Sequence, residues 1–268
     1  MLLTIVTVNF NNCDGLIRTM ESVASQSTMG DGVEHLIVDG GSTDGSAEVV
    51  EDYTSQHRWA RGWSGPDDGI YDAMNKAIES ARGQYVYFLN SGDELHDDQV
   101  IVGLLLSLGE SKEAWAVGNV LHRNGGVRDS IVNGVPFSRF RFLTARQQYN
   151  HQGVIFDRSI LAAIGGFGDN PPYYADAAVM LKFASICSPL EIPMLLATYE
   201  GGGYSADKVA SMPLNFHRLR LERDDYPRLL QLLSLTWAIG QVLRRQGIRN
   251  GLATVRASAD RGAKQREC

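Results

Sequence analysis

Four short polar clusters carry most of the side chains that could bind a phosphorylated substrate: Asn9–Asn12, Asp39–Asp44, Asp67–Asp68 and Asn90–Glu94. In Asn90-Ser91-Gly92-Asp93-Glu94, Asp93 offers a hard carboxylate oxygen. Mg2+ and Mn2+ take such oxygens together with phosphates and water. Asn, Ser, Gly and Asp also build ordinary turns. Asp39-Gly40-Gly41-Ser42-Thr43-Asp44-Gly45 joins glycines, which let a ligand approach the backbone, to a helix start, which favours anions. The Asp39 carboxylate can accept from a nucleobase N–H or a ribose hydroxyl, although a plain strand-to-helix turn reads the same way. The spacing is not G-x-G-x-x-G, which disfavours a dinucleotide site. Asp67 and Asp68 stand at the start of a helical run, where acids suit the helix dipole without any function. Capping does not explain Tyr71 and Lys76: an aromatic ring can stack on a base and a lysine can meet phosphate. His151 opens a strand-like run, and Asp176 opens a helix, where an Asp is most often a cap.

The elements that position these clusters follow from periodicity. Leu2–Val8, His35–Val38, Trp59–Ser64 and Gln84–Leu89 read as strands. Apolar residues from Leu16 to Ala24 and from Ile70 to Ala81 recur at helical spacing, and Ser42, Thr43 and Asp44 are N-cap candidates for a helix to about Tyr53. This βαβαβαβ rhythm predicts an α/β fold with a mostly parallel sheet covered on both faces. Ligands of such sheets sit at the carboxyl ends of the strands, where the four polar clusters fall. The second half is less regular: turns at Asn124–Gly126 and Val132–Pro136, a strand over His151–Asp157, a helix over Ala175–Ser185 and a loop at Gly201–Gly203. Helical segments follow, at about Ala206–Asp225 and Arg228–Arg245.

Several stretches together resemble the bacterial family 2 glycosyltransferases, and most closely those of colanic acid, capsule and O-antigen assembly. They are Thr4–Asn11, Ile37–Ser46, Ser64–Lys76, Ala81-Arg82-Gly83 and Phe88–Asp93, with weaker echoes at His151-Gln152-Gly153, Gly165-Gly166-Phe167, Ala175-Asp176 and Gly202–Ser205. The resemblance covers roughly residues 2–205 and implies a GT-A fold over 1–205 with a helical, basic extension over 206–268. It implies transfer of a sugar, with inversion, from a nucleotide-diphosphate sugar (UDP most often in the family) to a saccharide or lipid-linked acceptor. Thr7, Asn9, Asp39 and Asp67 would line the nucleotide pocket, with Tyr71 and Lys76 beside them. Asp93 would hold Mn2+ or Mg2+ as the remaining part of a D-x-D motif, Asp176 would be the general base, and His151 would lie near the diphosphate or acceptor. The commoner motif has acids where this chain has Asn90 and Gly92, whereas the colanic-acid-like subset shares Asn-Ser-Gly-Asp. Around the base, Ala175, Ala177 and Ala178 replace the acidic and tyrosine neighbours common in the family.

Bulk properties agree with a globular enzyme: 268 residues, 44% hydrophobic and 21% charged. The net charge of -6 argues against a nucleic-acid partner. It is uneven: residues 218–268 hold eleven Lys/Arg against five Asp/Glu, and the rest of the chain holds 14 against 26. Three scattered cysteines give neither a disulfide framework nor a zinc motif, and no signal peptide is visible, so the expected location is cytoplasmic. Leu229–Leu243 is an uncharged apolar window of 15 residues, short of the ~20 that span a bilayer. With its Trp237 and flanking arginines it suits a peripheral site on the inner membrane face; a helix packed on the domain, or on a second subunit of a homodimer, suits it equally. The rival functions are a sugar-phosphate nucleotidyltransferase, disfavoured because Asn9–Asn12 stands where a Gly-rich loop is expected, and a non-catalytic nucleotide-sugar-binding protein.

Overall fold

The computed structural model describes residues 1–30, 32–123, 129–132, 134–144, 146–147, 149–168, 174–199, 217–218, 220–221 and 228–244. The chain forms two compact units, Met1–Arg139 with Tyr149–Gly203 and Phe140–Gln148 with Tyr204–Cys268. The division thus falls at Gly203/Tyr204, and the second unit also takes a segment from the middle of the chain. The turn at Asn124–Gly126, the loop at Gly201–Gly203, the Gly202–Ser205 echo, most of Ala206–Asp225, and Arg245 and Arg249 lie outside the described residues.

The first unit is built on one sheet. Its strands are β1 (Leu3–Asn9), β2 (Val33–Asp39), β3 (Ala60–Ser64), β4 (Tyr85–Phe88), β5 (Glu94–Leu95), β6 (Trp115–His122), β7 (Ser130–Val132), β8 (Val154–Asp157) and β9 (Leu190–Tyr199). The spatial order is β3-β2-β1-β4-β8-β6-β9-β5, with β7 on β6. β3, β2, β1 and β4 run parallel, so the ends of all four reach one edge. β8 is antiparallel to β4 and β6, whereas β6 and β9 are parallel. The parallel strands expected of a mostly parallel sheet make up its first half, and the second half is mixed.

α1 (Cys13–Ala24), α2 (Ser46–Gln56), α3 (Ile70–Ser80) and α4 (Val100–Gly109) cover the sheet, followed by α5 (Arg139–Leu143), α6 (Arg158–Ala163) and α7 (Ala175–Ile186). All seven residues of β1 and of β2 are buried, as befits central parallel strands with helices on both faces. One core cluster joins Leu3, Ile5, Tyr85, Tyr87 and Ile155 to α4, and a second sets Leu16 and Met20 of α1 against Ile37 and Val50. α3 sinks Tyr71, Ala73, Met74, Ala77 and Ile78.

Two local expectations are corrected. The N-cap of α2 is Gly45 at φ 93°, not Ser42, Thr43 or Asp44; a left-handed residue there suits glycine. Asp44 instead accepts from Ser46 and, with its other oxygen, from the backbone N–H of Cys13 at the start of α1. His151–Gly153 is a 3-10 turn, and the strand begins only at Val154.

Within the second unit, the buried Arg220 guanidinium donates to the carbonyls of Phe142 and Leu143 at the end of α5, each at 2.6 Å. A cation at the last turn also complements the helix dipole. Residues 228–244 are helical. His217 and Ser234 share a hydrogen bond of 3.1 Å. The Arg146 guanidinium lies between the rings of Phe140 and Trp237, 5.7 and 5.8 Å from their centroids.

Candidate active site

The carboxyl edge of the parallel strands carries two constellations. The first is a lattice of loops around Asp39. One Asp39 oxygen accepts from Asn9 Nδ2 (2.7 Å) and Ser42 Oγ (2.6 Å), the other from Ser42 N (3.0 Å) and Ser64 Oγ (2.5 Å). Burial on its own would raise this carboxyl, but the bonds from Ser42, Ser64 and Asn9 outweigh it and hold Asp39 below its ordinary value. Asp39 is fully buried, and four donors fill its acceptor positions. The structure thus places it beneath the turn as an organiser, without a free oxygen for a base or ribose. Ser42 also accepts from Asn11 N, and Asn12 donates to Ser91, so the loops after β1, β2 and β4 are tied together.

Asp67 is partly exposed above this lattice. Its carboxylate packs so closely on Gly40 that a Cβ there would lie 2.6 Å from Oδ2, and its Oδ1 accepts from Gly69 N. Lys76 holds the same loop by an ion pair to Asp72 (2.8 Å) and a bond to the Pro66 carbonyl (3.1 Å). Thr7 is fully buried and divides its hydroxyl between the Leu89 carbonyl and His35. It supports the strand ends from within and does not line a pocket. Tyr71 is likewise turned away from any base-stacking position: its ring stacks on Phe167, centroids 5.3 Å apart.

The second constellation joins residues far apart in sequence. Tyr71 donates to Asp176 Oδ1 (3.3 Å), and Asp176 Oδ2 faces His151 Nδ1 (3.4 Å). His151 Nε2 meets the Asn90 amide (3.0 Å). Gln152 donates to Asp93 Oδ2 (3.0 Å). A small cavity of about 30 Å3, lined by Tyr71, Met74, Phe88, Phe156, Phe167, His151 and Asp176, backs the pair with apolar wall. Phe167 is held there because Asn75 accepts from its N–H and donates to the Gly168 carbonyl.

Burial lowers the proton affinity of His151, but the Asp176 carboxylate, with a weaker contribution from Asp93, more than reverses this and raises it above the ordinary imidazole value. A protonated ring donates from both nitrogens. Asn90 can meet it by turning its amide through 180°, which brings Oδ1, buried with no partner, onto Nε2. Asp93 behaves oppositely to Asp39. Burial raises it to about 6, with Glu94 adding to the rise, and the Gln152 bond and His151 only partly offset this.

Asp93 also bears on a metal. Among the described residues no three His, Cys, Asp or Glu side chains stand together as a ready metal site. A cation completed by a ligand's phosphates needs only one or two carboxylates. Asp93 fits that arrangement, since a poorly compensated carboxylate would be stabilised by a cation. Glu94 is engaged with Arg18 at 3.9 Å. Sequence reading missed Gln152, Ser42 and Ser64 as partners of the two aspartates. The only signal for Gln152 was its place beside His151, and the serines were legible only as turn formers.

The chain matches the model of glycosyl transferase family 2 over residues 4–163. It is 34% identical over 212 residues to the Mycobacterium tuberculosis glycosyltransferase Rv1514c, covering 78% of each chain. It is 28% identical over 174 residues to the PGL/p-HBAD biosynthesis glycosyltransferase Rv2957 of the same species, covering 62% of this chain and 63% of that one. Among solved structures, the mannosyltransferase PcManGT of Pyrobaculum calidifontis, in complex with GDP-Man and Mn2+, superposes with a TM-score of 0.66 at 16% identity, over 88% of this chain and 68% of that one. TarS 1-349 of S. aureus in complex with UDP-GlcNAc gives 0.62 at 16% identity, over 84% and 68%. The fold is therefore of the GT-A type, the family match includes the Asp39 lattice, Asn90, Asp93 and His151 and stops short of Asp176, and the chain belongs to glycosyl transferase family 2.

Proposed function

We propose that this glycosyltransferase moves a sugar from a nucleotide-diphosphate donor, UDP-linked by preference, onto a hydroxyl of a saccharide or lipid-linked acceptor with inversion, in cell-surface glycan assembly. The observation that carries this reading is the Tyr71–Asp176–His151–Asn90 chain beside Asp93 at the carboxyl edge of the parallel strands. The donor nucleoside lies over the Asp39–Gly41 turn, where Asp67 offers the partly exposed carboxylate. Asn9 and Asp39 keep that turn in shape, and Lys76 fixes the loop that bears Asp67.

Asp176 takes the acceptor proton as the new C–O bond forms at the anomeric carbon. The bond to the diphosphate oxygen breaks, and its electron pair leaves with the nucleoside diphosphate. Tyr71 and His151 hold the Asp176 carboxylate toward the acceptor, and the protonated His151 stabilises negative charge developing on the diphosphate. Asp93 would hold Mn2+ or Mg2+, which when bound neutralises phosphate charge. A single displacement forms no covalent glycosyl-enzyme.

The test is transfer from labelled UDP-, GDP- and dTDP-sugars to acceptor extracts, with the anomeric configuration of the product read by NMR. A product of opposite configuration to the donor is expected. A product of retained configuration would overturn the displacement, and binding of nucleotide sugar without any turnover would overturn the enzyme reading.

A further inference from the structure

The second unit shows a feature that sugar transfer leaves unused. Along helix 228–244, Leu229, Leu232, Ile239 and Leu243 are exposed, three of them by more than 60%. With Thr236 they recur at intervals of three and four residues, so they form one stripe along the helix. Ser234 and Ala238 are buried on the opposite side. No residue from Leu229 to Leu243 is charged, and Arg228 and Arg244 bracket the run.

Two occupants suit such a stripe, a second copy of the helix or a lipid surface. The residues flanking the stripe are Leu233, Leu235, Gly240 and Val242. None bears a charge of the kind that fixes partner and register in paired helices. Over about 22 Å of helix, roughly 10 Å wide, the face offers roughly 220 Å2, well below the ~800 Å2 per partner of a stable dimer.

Charge favours lipid. The second unit as a whole has fourteen Lys/Arg against six Asp/Glu, whereas the first has eleven against twenty-five. Arg146 sits between the half-exposed rings of Phe140 and Trp237. Aromatic rings and guanidinium groups of this kind suit the headgroup level of a bilayer. Among the described residues no helix is long and apolar enough to cross one.

We infer that the Leu229–Leu232–Ile239–Leu243 face docks on an anionic lipid surface, lying in its plane with the arginines at the headgroups. This docking is separable from catalysis, because an inactive chain would still bind. The full-length protein is sedimented with vesicles of phosphatidylcholine alone and of phosphatidylcholine mixed with phosphatidylglycerol. Binding to the mixed vesicles is expected, weakening with salt. Replacing the four apolar residues by Ser should reduce it about tenfold or more. These side chains are exposed, so the thermal midpoint should be unchanged. Arg228→Gln and Arg244→Gln should each weaken binding about fivefold and reduce its salt dependence. Equal binding by the four-serine variant, or no binding to anionic vesicles, would overturn the inference. So would a concentration-dependent dimer in solution that the serine substitutions dissolve, which would assign the face to a second copy.

Discussion

Asp39 ends β2 and Asp93 lies in the turn between β4 and β5, at the same sheet edge, yet their surroundings drive them in opposite directions. Asp39 is fully buried but takes four hydrogen bonds, from the last residues of β1 and β3 and from Ser42 in the turn after β2, and its carboxyl is held low. Asp93 is largely enclosed with a bond from Gln152, and its carboxyl rises to about 6. The difference separates framework from chemistry. A carboxylate whose lone pairs are filled by its own chain stabilises a loop; one left undersupplied is ready for a cation or a substrate. Asp176 stands between the two: Oδ1 accepts from Ala177 N at 2.8 Å and from Tyr71 at 3.3 Å, while Oδ2 faces only His151 at 3.4 Å, long enough to tighten around a ligand.

Substitutions can break this comparison. The largest effect is expected at Asp176. Asp176→Asn should cut turnover by ~10²–10⁴ while leaving nucleotide affinity and the unfolding midpoint nearly unchanged; near-normal turnover would remove Asp176 from the chemistry. Asp39→Asn should do the reverse, losing ~2–3 kcal/mol of stability in denaturant titration, because an amide cannot accept from all four donors. A stable Asp39→Asn variant that had lost only nucleotide binding would erase the distinction. Asp93→Ala should remove metal-dependent nucleotide binding in calorimetry, and an unchanged Mn2+ response would assign the metal elsewhere. Tyr71→Phe keeps the stack on Phe167 and loses the bond to Asp176, so kcat should fall about tenfold with KM little changed. A change in KM alone would mark Tyr71 as part of a binding surface.

The most gradual effect, spread over several pH units, concerns the framework below the edge. Burial, with His57 adding a little, lowers His35 from 6.5 to about 3. The unfolded chain therefore takes up a proton below about pH 6.5 that folded His35 refuses until about pH 3. Stability should be level above this window with respect to His35 and fall as pH drops through it, by up to about 1.4 kcal/mol per pH unit. Thermal midpoints across that range measure it, and His35→Gln should flatten the slope. An unchanged slope would show that His35 does not set it.

Much of this arrangement was legible in the chain. Short apolar, β-branched runs and faces of period 3.6 marked β1 to β4 and α1 to α3, and short connections forced the polar clusters after β1, β2, β3 and β4 to one edge. The second half, β8 apart, hid its strands. β9 contains Pro193 and ends in an apolar run without alternation, and β6 is interrupted by Gly118 and Asn119, where its register with β9 shifts. Such segments show neither pattern, and only pairing with neighbours makes them strands.

Residue identity and local spacing determined which groups this protein could use: Asp93 after a strand, Asp176 at a helix start, His151 before β8. Tertiary structure alone decided what each one does. Tyr71 and Asp176 lie 105 residues apart, and Asn90 and His151 lie 61 apart; no local pattern encodes their meeting. The same holds for Asp39, whose sequence promised an open acceptor and whose fold closed it. Proton affinity and ligand capacity depend on burial and on every donor within about 3 Å, and those are set by packing across the sheet edge.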